Sequence, residues 1–359
     1  MDADIATEEQ AREQLNTGTK PVAESHRFDE AQLAGWMKAN IEGFAGPLEV
    51  RQFKGGQSNP TYQLVTPGHT YVMRRKPPGK LLPSAHAVDR EFRVISALYP
   101  TGFPVARPFA LCQDESVIGT MFYVMDMVEG RVLWDQTLPA YAPAERHAIH
   151  MAALKTLADL HNTDWRAVGL EGFGRPGNYM ARQIDRWTKQ YKASETRHID
   201  SMERLIAWLP HTVPEDDQTT IVHADYRLDN MVMHPTEARV IAVLDWELST
   251  LGNPLADFTN LLMQWVNGSI AAIGDLEAHG IPTREEYVAE YCRLTGRAGL
   301  PDLDWYFAYN IFRLAGIIQG IVGRVRDGTA NSPQAAAMAD RVPALADAAW
   351  TFAQRAGAA

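Results

Sequence analysis

Ile221-Val222-His223-Ala224-Asp225-Tyr226-Arg227-Leu228-Asp229-Asn230 is the stretch on which the fold turns. It opens on an apolar β-branched run. A second such run, Val240-Ile241-Ala242-Val243-Leu244, follows and ends in Asp245-Trp246-Glu247. Read as strands, the two runs deliver Asp225, Asn230 and Asp245 at strand ends. Phosphoryl transfer needs such a set: one carboxylate to accept or orient a hydroxyl proton, and an amide oxygen with a second carboxylate to hold magnesium on nucleotide phosphates. A bare His-x-Asp-x-x-x-x-Asn arises by chance in many chains, and its polar residues can simply be turn formers. The flanking apolar runs, and Asp245 closing the second one, give the pattern its weight.

Bulk properties narrow the alternatives. The chain has 359 residues, 46% of them hydrophobic, enough for a large core and two lobes. A net charge of −10 and an isoelectric point near 5.6 lack the basic footprint of a nucleic-acid binder. The two cysteines, Cys112 and Cys292, are far apart and form no CxxC pair. That disfavours a disulfide scaffold or zinc ribbon and suits a reducing cytoplasm. The acidic start, Met1-Asp2-Ala3-Asp4, does not read as a signal peptide, and no apolar stretch is long enough to span a bilayer.

Upstream of the central stretch, residues 1–26 are polar and aperiodic and read as a loose arm. Residues 28–41 have near-helical apolar spacing. Strand-like runs follow at 48–53, 61–66 and 70–74. Lys54-Gly55-Gly56-Gln57-Ser58-Asn59 separates the first two, and Pro67-Gly68 marks a tight turn between the second two. The glycine pair is either an ordinary turn or a place where backbone N–H groups approach a phosphate. Residues 84–99 read as a helix capped by Ser84, with Val88, Phe92, Ile95 and Tyr99 as its apolar stripe and Glu91 beside it. Met121-Phe122-Tyr123-Val124-Met125 is a buried strand running toward Gly130, a domain boundary. From residue 143 the pattern is mainly helical. His147 and His150 lack further metal ligands at suitable spacing and read as surface-helix residues. Trp305, Tyr306, Phe307, Tyr309 and Phe312 form an aromatic cluster, by default core and otherwise a pocket wall.

The central stretch resembles the kinase-like phosphotransferases that include aminoglycoside phosphotransferases and choline kinases. It is most similar to the kinase-like domain fused to some acyl-CoA dehydrogenases, above all in Gly172-Phe173-Gly174-Arg175-Pro176-Gly177-Asn178-Tyr179. The likeness covers roughly residues 45–330. It implies an α+β, two-lobed protein-kinase-like fold: an arm and helix over 1–44, an antiparallel nucleotide-binding N-lobe over 45–126, and a mainly helical catalytic C-lobe over 127–359. It further implies ATP, or alternatively GTP, together with Mg2+. Gly55, Gly56 and Ser58 would cover the phosphates. Met125 and Met127 lie in the hinge that reads the base. Arg74 stands where kinases carry a phosphate-binding lysine, with Arg75 and Lys76 leaving the register open. Glu91 is either its ion-pair partner or a solvated acid.

Within the catalytic segment, the likeness makes Asp225 the base and His223 a brace. Asn230 and Asp245 become the metal ligands, with Glu247 as an outer one. Arg227 either stabilises charge on the transferring phosphoryl or pairs with Asp229 or Asp257. Asp257 either braces the catalytic loop or complements a helix dipole. The expected activity is transfer of a γ-phosphoryl group to a hydroxyl of a small molecule. Arg175, Arg182, Arg186, Arg313, Arg324 and Arg326 on candidate pocket segments favour an anionic acceptor, such as a hydroxy acid or hydroxyacyl-CoA. Polycationic aminoglycosides would want a carboxylate-rich pocket and form the alternative. A nucleotide-binding pseudokinase is the other alternative, suggested by Arg74 and opposed by retention of Asp225, Asn230 and Asp245. Neither a nucleic-acid nor a membrane partner is expected, and the sequence is silent on oligomeric state.

Overall fold

The computed structural model describes residues 17–55, 59–79, 86–215, 218–301, 303–327 and 338–359. Gly56, Gln57, Ser58 and Ser84, to which sequence reasoning gave roles, lie outside the described residues.

The N-terminal lobe is one antiparallel sheet. Its strands are β1 (Thr19–Lys20), β2 (Glu49–Phe53), β3 (Thr61–Val65), β4 (Thr70–Arg75), β5 (Pro108–Cys112) and β6 (Phe122–Asp126), in the spatial order β1-β2-β3-β4-β6-β5. The Pro67-Gly68 turn closes β3 onto β4 with the Thr66 amide donating to the His69 carbonyl at 2.9 Å. Helix α1 (Glu30–Asn40) is capped by Asp29, whose carboxylate accepts from the Ala31 and Gln32 amides. Leu33 and Met37 of α1, with Ile41 just past its end, pack on Tyr62, Leu64, Tyr71, Met73, Phe122 and Val124 of the sheet. The expected loose arm over 1–26 is corrected in its described part. Thr19 pairs with Phe53 and Lys20 with Gln52, and the Ala23 amide donates to Gln52 Oε1 at 3.1 Å. A two-residue edge strand is created by pairing, so the segment carries no periodicity of its own.

Helix α2 (Val88–Leu98) crosses behind the sheet; it starts later than expected and passes at Tyr99 into a 3-10 turn. Its buried stripe is Val88, Glu91, Val94, Ile95 and Leu98, while Tyr99 is 43% exposed. The apolar part of this stripe joins the larger C-terminal core through Phe103 and Trp246, so α2 couples the lobes.

The C-terminal lobe contains α3 (Pro143–Asn162), α4 (Tyr179–Ser194), α5 (Asp200–Trp208), α6 (Pro254–Leu261), α7 (Met263–Asn267), α8 (Arg284–Thr295), α9 (Asp304–Arg326) and α10 (Arg341–Arg355). Two small antiparallel ribbons are set among them: β7 (Thr220–Val222) with β10 (Thr250–Gly252), and β8 (Met231–Met233) with β9 (Val240–Val243). The aromatic cluster on α9 is buried core. Among the described residues, no helix is long and apolar enough to cross a membrane. His150 corrects the surface-helix reading of α3: it is 2% exposed and covered by Trp265 and Tyr287.

Gly130 marks the join between the lobes. A Cβ there would fall 2.3 Å from the Met233 carbonyl oxygen, because Arg131 forms an antiparallel bridge with Met233. The linker therefore rests directly on the β8–β9 ribbon.

Candidate active site

The loop between β7 and β8 carries His223, Asp225, Arg227 and Asn230. Its base is Asp257, on the first turn of α6, where Asn253 caps the helix and Pro254 starts it. Asp257 Oδ2 accepts from the His223 amide at 2.7 Å, and Oδ1 accepts from the Ala224 amide at 2.8 Å. His161 Nε2 approaches the same carboxylate at 3.4 Å. Burial raises the Asp257 pKa, but the His161 contact and the bond from the His223 amide prevail, and the carboxyl lies below its ordinary value. His223 ties the two ribbons together: its Nε2 donates to the Leu244 carbonyl at 2.8 Å and its Nδ1 accepts from the Asp225 amide at 3.3 Å. These partners define a neutral Nε2–H tautomer.

Asp225 is half-buried, and its carboxylate Oδ2 accepts from Asn230 Nδ2 at 3.0 Å. The same Nδ2 reaches the Asp225 carbonyl at 2.9 Å, which turns the Asn230 oxygen away from Asp225. The Leu244 amide donates to the Asn230 carbonyl at 2.8 Å, bringing the end of β9 and Asp245 alongside. Ala224 and Asp245 have φ of 67° and 60°, left-handed conformations that cost non-glycine residues about 1 kcal/mol or more. Arg227 forms a two-pronged bond with Asp229, at 2.9 and 2.6 Å. Gln136, not singled out from sequence, donates to Asp229 at 3.3 Å.

From the N-terminal lobe, Arg74 enters the same space. Its Nε lies 2.9 Å from Glu91 Oε2 and its Nη2 lies 2.9 Å from Asp245 Oδ1. Burial opposes the charge, but Glu91 and then Asp245 hold the Arg74 pKa above its ordinary value. Glu91 also accepts from Tyr123 Oη at 3.1 Å and Asn59 Nδ2 at 2.7 Å. The register is settled: Arg75 points to the opposite face, its guanidinium 5.3 Å from the Phe28 ring. Asn59 was quoted from sequence only as the end of the glycine loop. It is fully buried, and its Nδ2 also lies 3.3 Å from Glu247 Oε2. Gly55 sits half-buried just past β2. At the hinge, Met125 pairs with Val72, and the Met127 amide donates to the Thr70 carbonyl at 3.2 Å. That amide is engaged within the sheet.

The glycine-rich phrase before α4 packs on this assembly. A Cβ on Gly174 would lie 2.6 Å from the Leu251 amide nitrogen of β10. Arg90 of α2 donates to the Phe173 carbonyl at 2.6 Å and lies over its ring. The candidate pocket arginines separate into groups. Arg182 donates to the carbonyls of Gly177 and Arg175, and Arg326 pairs with Asp327. Arg186 is exposed, and Arg313 donates to the Ala224 carbonyl at 2.8 Å. Burial pushes the Tyr179 phenol up to about 12, while Arg313, Arg186 and Arg182 pull the other way, so three guanidiniums share its neighbourhood.

The family model described as "Phosphotransferase enzyme family" matches residues 49–305. Human acyl-CoA dehydrogenase family member 11 is 42% identical over 352 residues, covering 94% of this chain; the chain spans only 45% of that relative's length. A crystal structure from Ralstonia eutropha, provisionally described as an aminoglycoside phosphotransferase, is 51% identical with a TM-score of 0.85, covering 92% of this chain and 99% of that one. A thermostable mutant of aminoglycoside phosphotransferase APH(4)-Ia, solved with ADP and hygromycin B, is 15% identical with a TM-score of 0.58, covering 89% of this chain and 97% of that one. At that identity it speaks for the two-lobed kinase-like fold alone.

Proposed function

The chain belongs to the phosphotransferase enzyme family, and from that premise we propose that it transfers the γ-phosphoryl group of ATP to a hydroxyl of a small anionic molecule, a hydroxy acid or hydroxyacyl-CoA. The observation that carries this reading is the Asn230–Asp225 bond. It fixes a carboxylate at the end of one ribbon while leaving the amide oxygen turned away from Asp225. Asp225 accepts the hydroxyl proton and aims the oxygen at the phosphorus. Asn230 Oδ1 and the Asp245 carboxylate are hard oxygen donors of the kind magnesium prefers, and these residues would hold it. Magnesium bound with the nucleotide would neutralise charge on the phosphates. Arg74 takes the α- and β-phosphates with the planar fork that now spans Glu91 and Asp245. Arg227, committed to Asp229, acts on the loop's shape more than on the phosphoryl group.

The anionic acceptor rests on charge. Among the described residues, Arg186 forms no ion pair, and Arg313 spends its donors on a carbonyl and on Asn260. Resemblance to acyl-CoA dehydrogenase family member 11 points the same way, although the chain spans only 45% of that relative's length. The test is phosphoryl transfer from [γ-32P]ATP across hydroxy acids, hydroxyacyl-CoAs, amino alcohols and aminoglycosides. Transfer to an anionic acceptor, weakened by salt and reduced by ~10³-fold or more in Asp225→Asn with ATP binding retained, is the expected result. Efficient transfer to kanamycin alone would reverse the acceptor class. Near-normal turnover in Asp225→Asn would remove the base.

A further inference from the structure

The residue immediately before Asp225 is fastened at both of its peptide groups by side chains from distant helices. The Ala224 amide is held by Asp257 of α6 and its carbonyl by Arg313 of α9, each at 2.8 Å. Between these anchors Ala224 keeps a φ of 67°, a conformation alanine leaves readily when nothing holds it. A small cavity lies beside the loop, bordered by Ala224, Val222, Tyr179, Tyr309, Asn310 and Arg313. Asn310 Oδ1, 3% exposed as a residue, has no hydrogen-bond partner among the described residues. Rotation of the peptide linking Ala224 to Asp225 would swing the Asp225 carboxylate, and the Arg313 bond to the Ala224 carbonyl opposes that rotation together with the Asp225 amide's bond to His223 Nδ1.

Arg313 is itself built for a fixed position. Its Nη1 lies 3.4 Å from Asn260 Oδ1 and its guanidinium 5.7 Å from the centre of the Trp187 ring. Among the described residues no carboxylate pairs with it. A guanidinium whose shortest bond goes to a backbone carbonyl makes a charge-assisted bond, roughly twice as strong as a neutral one. We propose that Arg313 is a positioning residue for phosphoryl transfer: it pins the Ala224 carbonyl, holds the left-handed turn, and so aims Asp225 at the acceptor oxygen. The inference rests on Asp225 being the base.

The test compares wild type with Arg313→Met and Arg313→Lys in the full chain, with Asp225→Asn as reference. The readouts are MgATP hydrolysis without added acceptor, the KM for ATP, and amide hydrogen exchange over residues 223–225. Arg313→Met is expected to lose ~10²-fold in turnover, the scale of a misaimed reacting group, with KM for ATP within about twofold. Exchange at His223 and Ala224 should quicken ~10-fold or more while the α9 amides are unchanged. Arg313→Lys, which keeps a cationic donor, should recover about tenfold of the lost turnover. Should Arg313→Met fail to fold, Arg313→Gln is read by the same criteria. Where hydrolysis falls below detection, exchange alone decides. Wild-type exchange in Arg313→Met overturns the proposal, and so does faster exchange with undiminished turnover. If Asp225→Asn hydrolyses ATP as fast as wild type, the base assignment fails instead. If Asp225→Asn is silent and Arg313→Met is unimpaired, only the positioning role falls.

Discussion

Truncating Arg74 to alanine removes a side chain that touches both Glu91 of the N-terminal lobe and Asp245 of the C-terminal lobe. Arg74 is 9% exposed and Glu91 is 1% exposed, so the pair is a buried one. Breaking such a pair from one side costs about 3–5 kcal/mol, because the remaining charge loses its partner. Glu91 retains Asn59 at 2.7 Å and Tyr123 at 3.1 Å as donors, which places the expected loss of stability for Arg74→Ala at the lower end, about 3 kcal/mol. Glu91→Ala leaves Arg74 its contact with Asp245 and should cost about 2 kcal/mol. The double variant should fall short of the sum by about 1–2 kcal/mol, because each truncation already breaks the same contact. In kinetics, loss of the phosphate contact should lower kcat/KM for ATP by ~10²-fold in Arg74→Ala, equivalent to about 3 kcal/mol. Arg74→Lys should fall between, since one ammonium cannot span Glu91 and Asp245 as the fork does. The assays are urea denaturation and initial rates over a range of ATP concentrations, run as a double-mutant cycle. Additivity within about 0.5 kcal/mol in both would refute the coupling. A wild-type KM and kcat in Arg74→Ala would refute the phosphate contact. Arg75 could not take its place without turning over from the Phe28 and Tyr62 rings.

Two further outcomes follow from other parts of the molecule. Burial holds the His150 imidazole down to about 4 from an ordinary 6.5. The unfolded chain therefore takes up a proton below about 6.5 that the folded chain refuses until about 4. Stability should be complete above pH 6.5 and fall by ~3 kcal/mol as the pH drops toward 4. Urea midpoints between pH 4 and 7 should show this slope, and His150→Asn should flatten it; an unchanged slope would exclude His150 as the source. Gly130→Ala places a Cβ against the Met233 carbonyl oxygen and the Val232 side chain. It should lower stability by about 2 kcal/mol in thermal denaturation and disturb turnover through the lobe join; wild-type behaviour in both would mean that the linker does not bear on the ribbon in solution.

The parts of the site that could be read in the sequence share a physical property: their neighbours along the chain declare their environment. Asp225 and Asp245 follow apolar β-branched runs and Asn230 directly precedes the apolar strand β8, and a strand that must be buried delivers its polar end to a fixed place. Glu91 was legible because helical spacing set it beside the apolar stripe of α2. Arg74 was legible only to within a residue or two. Side chains alternate across a strand, so a slip of one residue exchanges the site for the Phe28 face, and nothing within Met73-Arg74-Arg75-Lys76 fixes that choice. Asn59, Gln136 and Arg313 could not be found in this way. Their roles come from partners 32, 93 and 89 residues away. The only available signal for Asn59 was a polar residue entering a strand directly after the glycine loop. β1 exists because β2 offers it an edge, and His150 is buried because Trp265 and Tyr287 cover it.

The least legible feature is also the one most closely tied to chemistry. A left-handed turn in a sequence ordinarily announces itself with glycine, but Ala224 and Asp245 adopt one without it. Their conformations persist because bonds from elsewhere hold them: Asp257 and Arg313 at Ala224, Arg74 at Asp245, and His223 at the Leu244 carbonyl between the two ribbons. The cost of each strained residue is thus offset by contacts from α6, α9 and β4, elements whose own sequences show no sign of the turn. Glycine at either position would remove the strain and also the definition, since a residue that adopts many conformations aims a carboxylate poorly. Alanine and aspartate there make the loop dependent on its supports. In this architecture, loosening any one support is expected to appear first in the aim of Asp225 and only later in global unfolding.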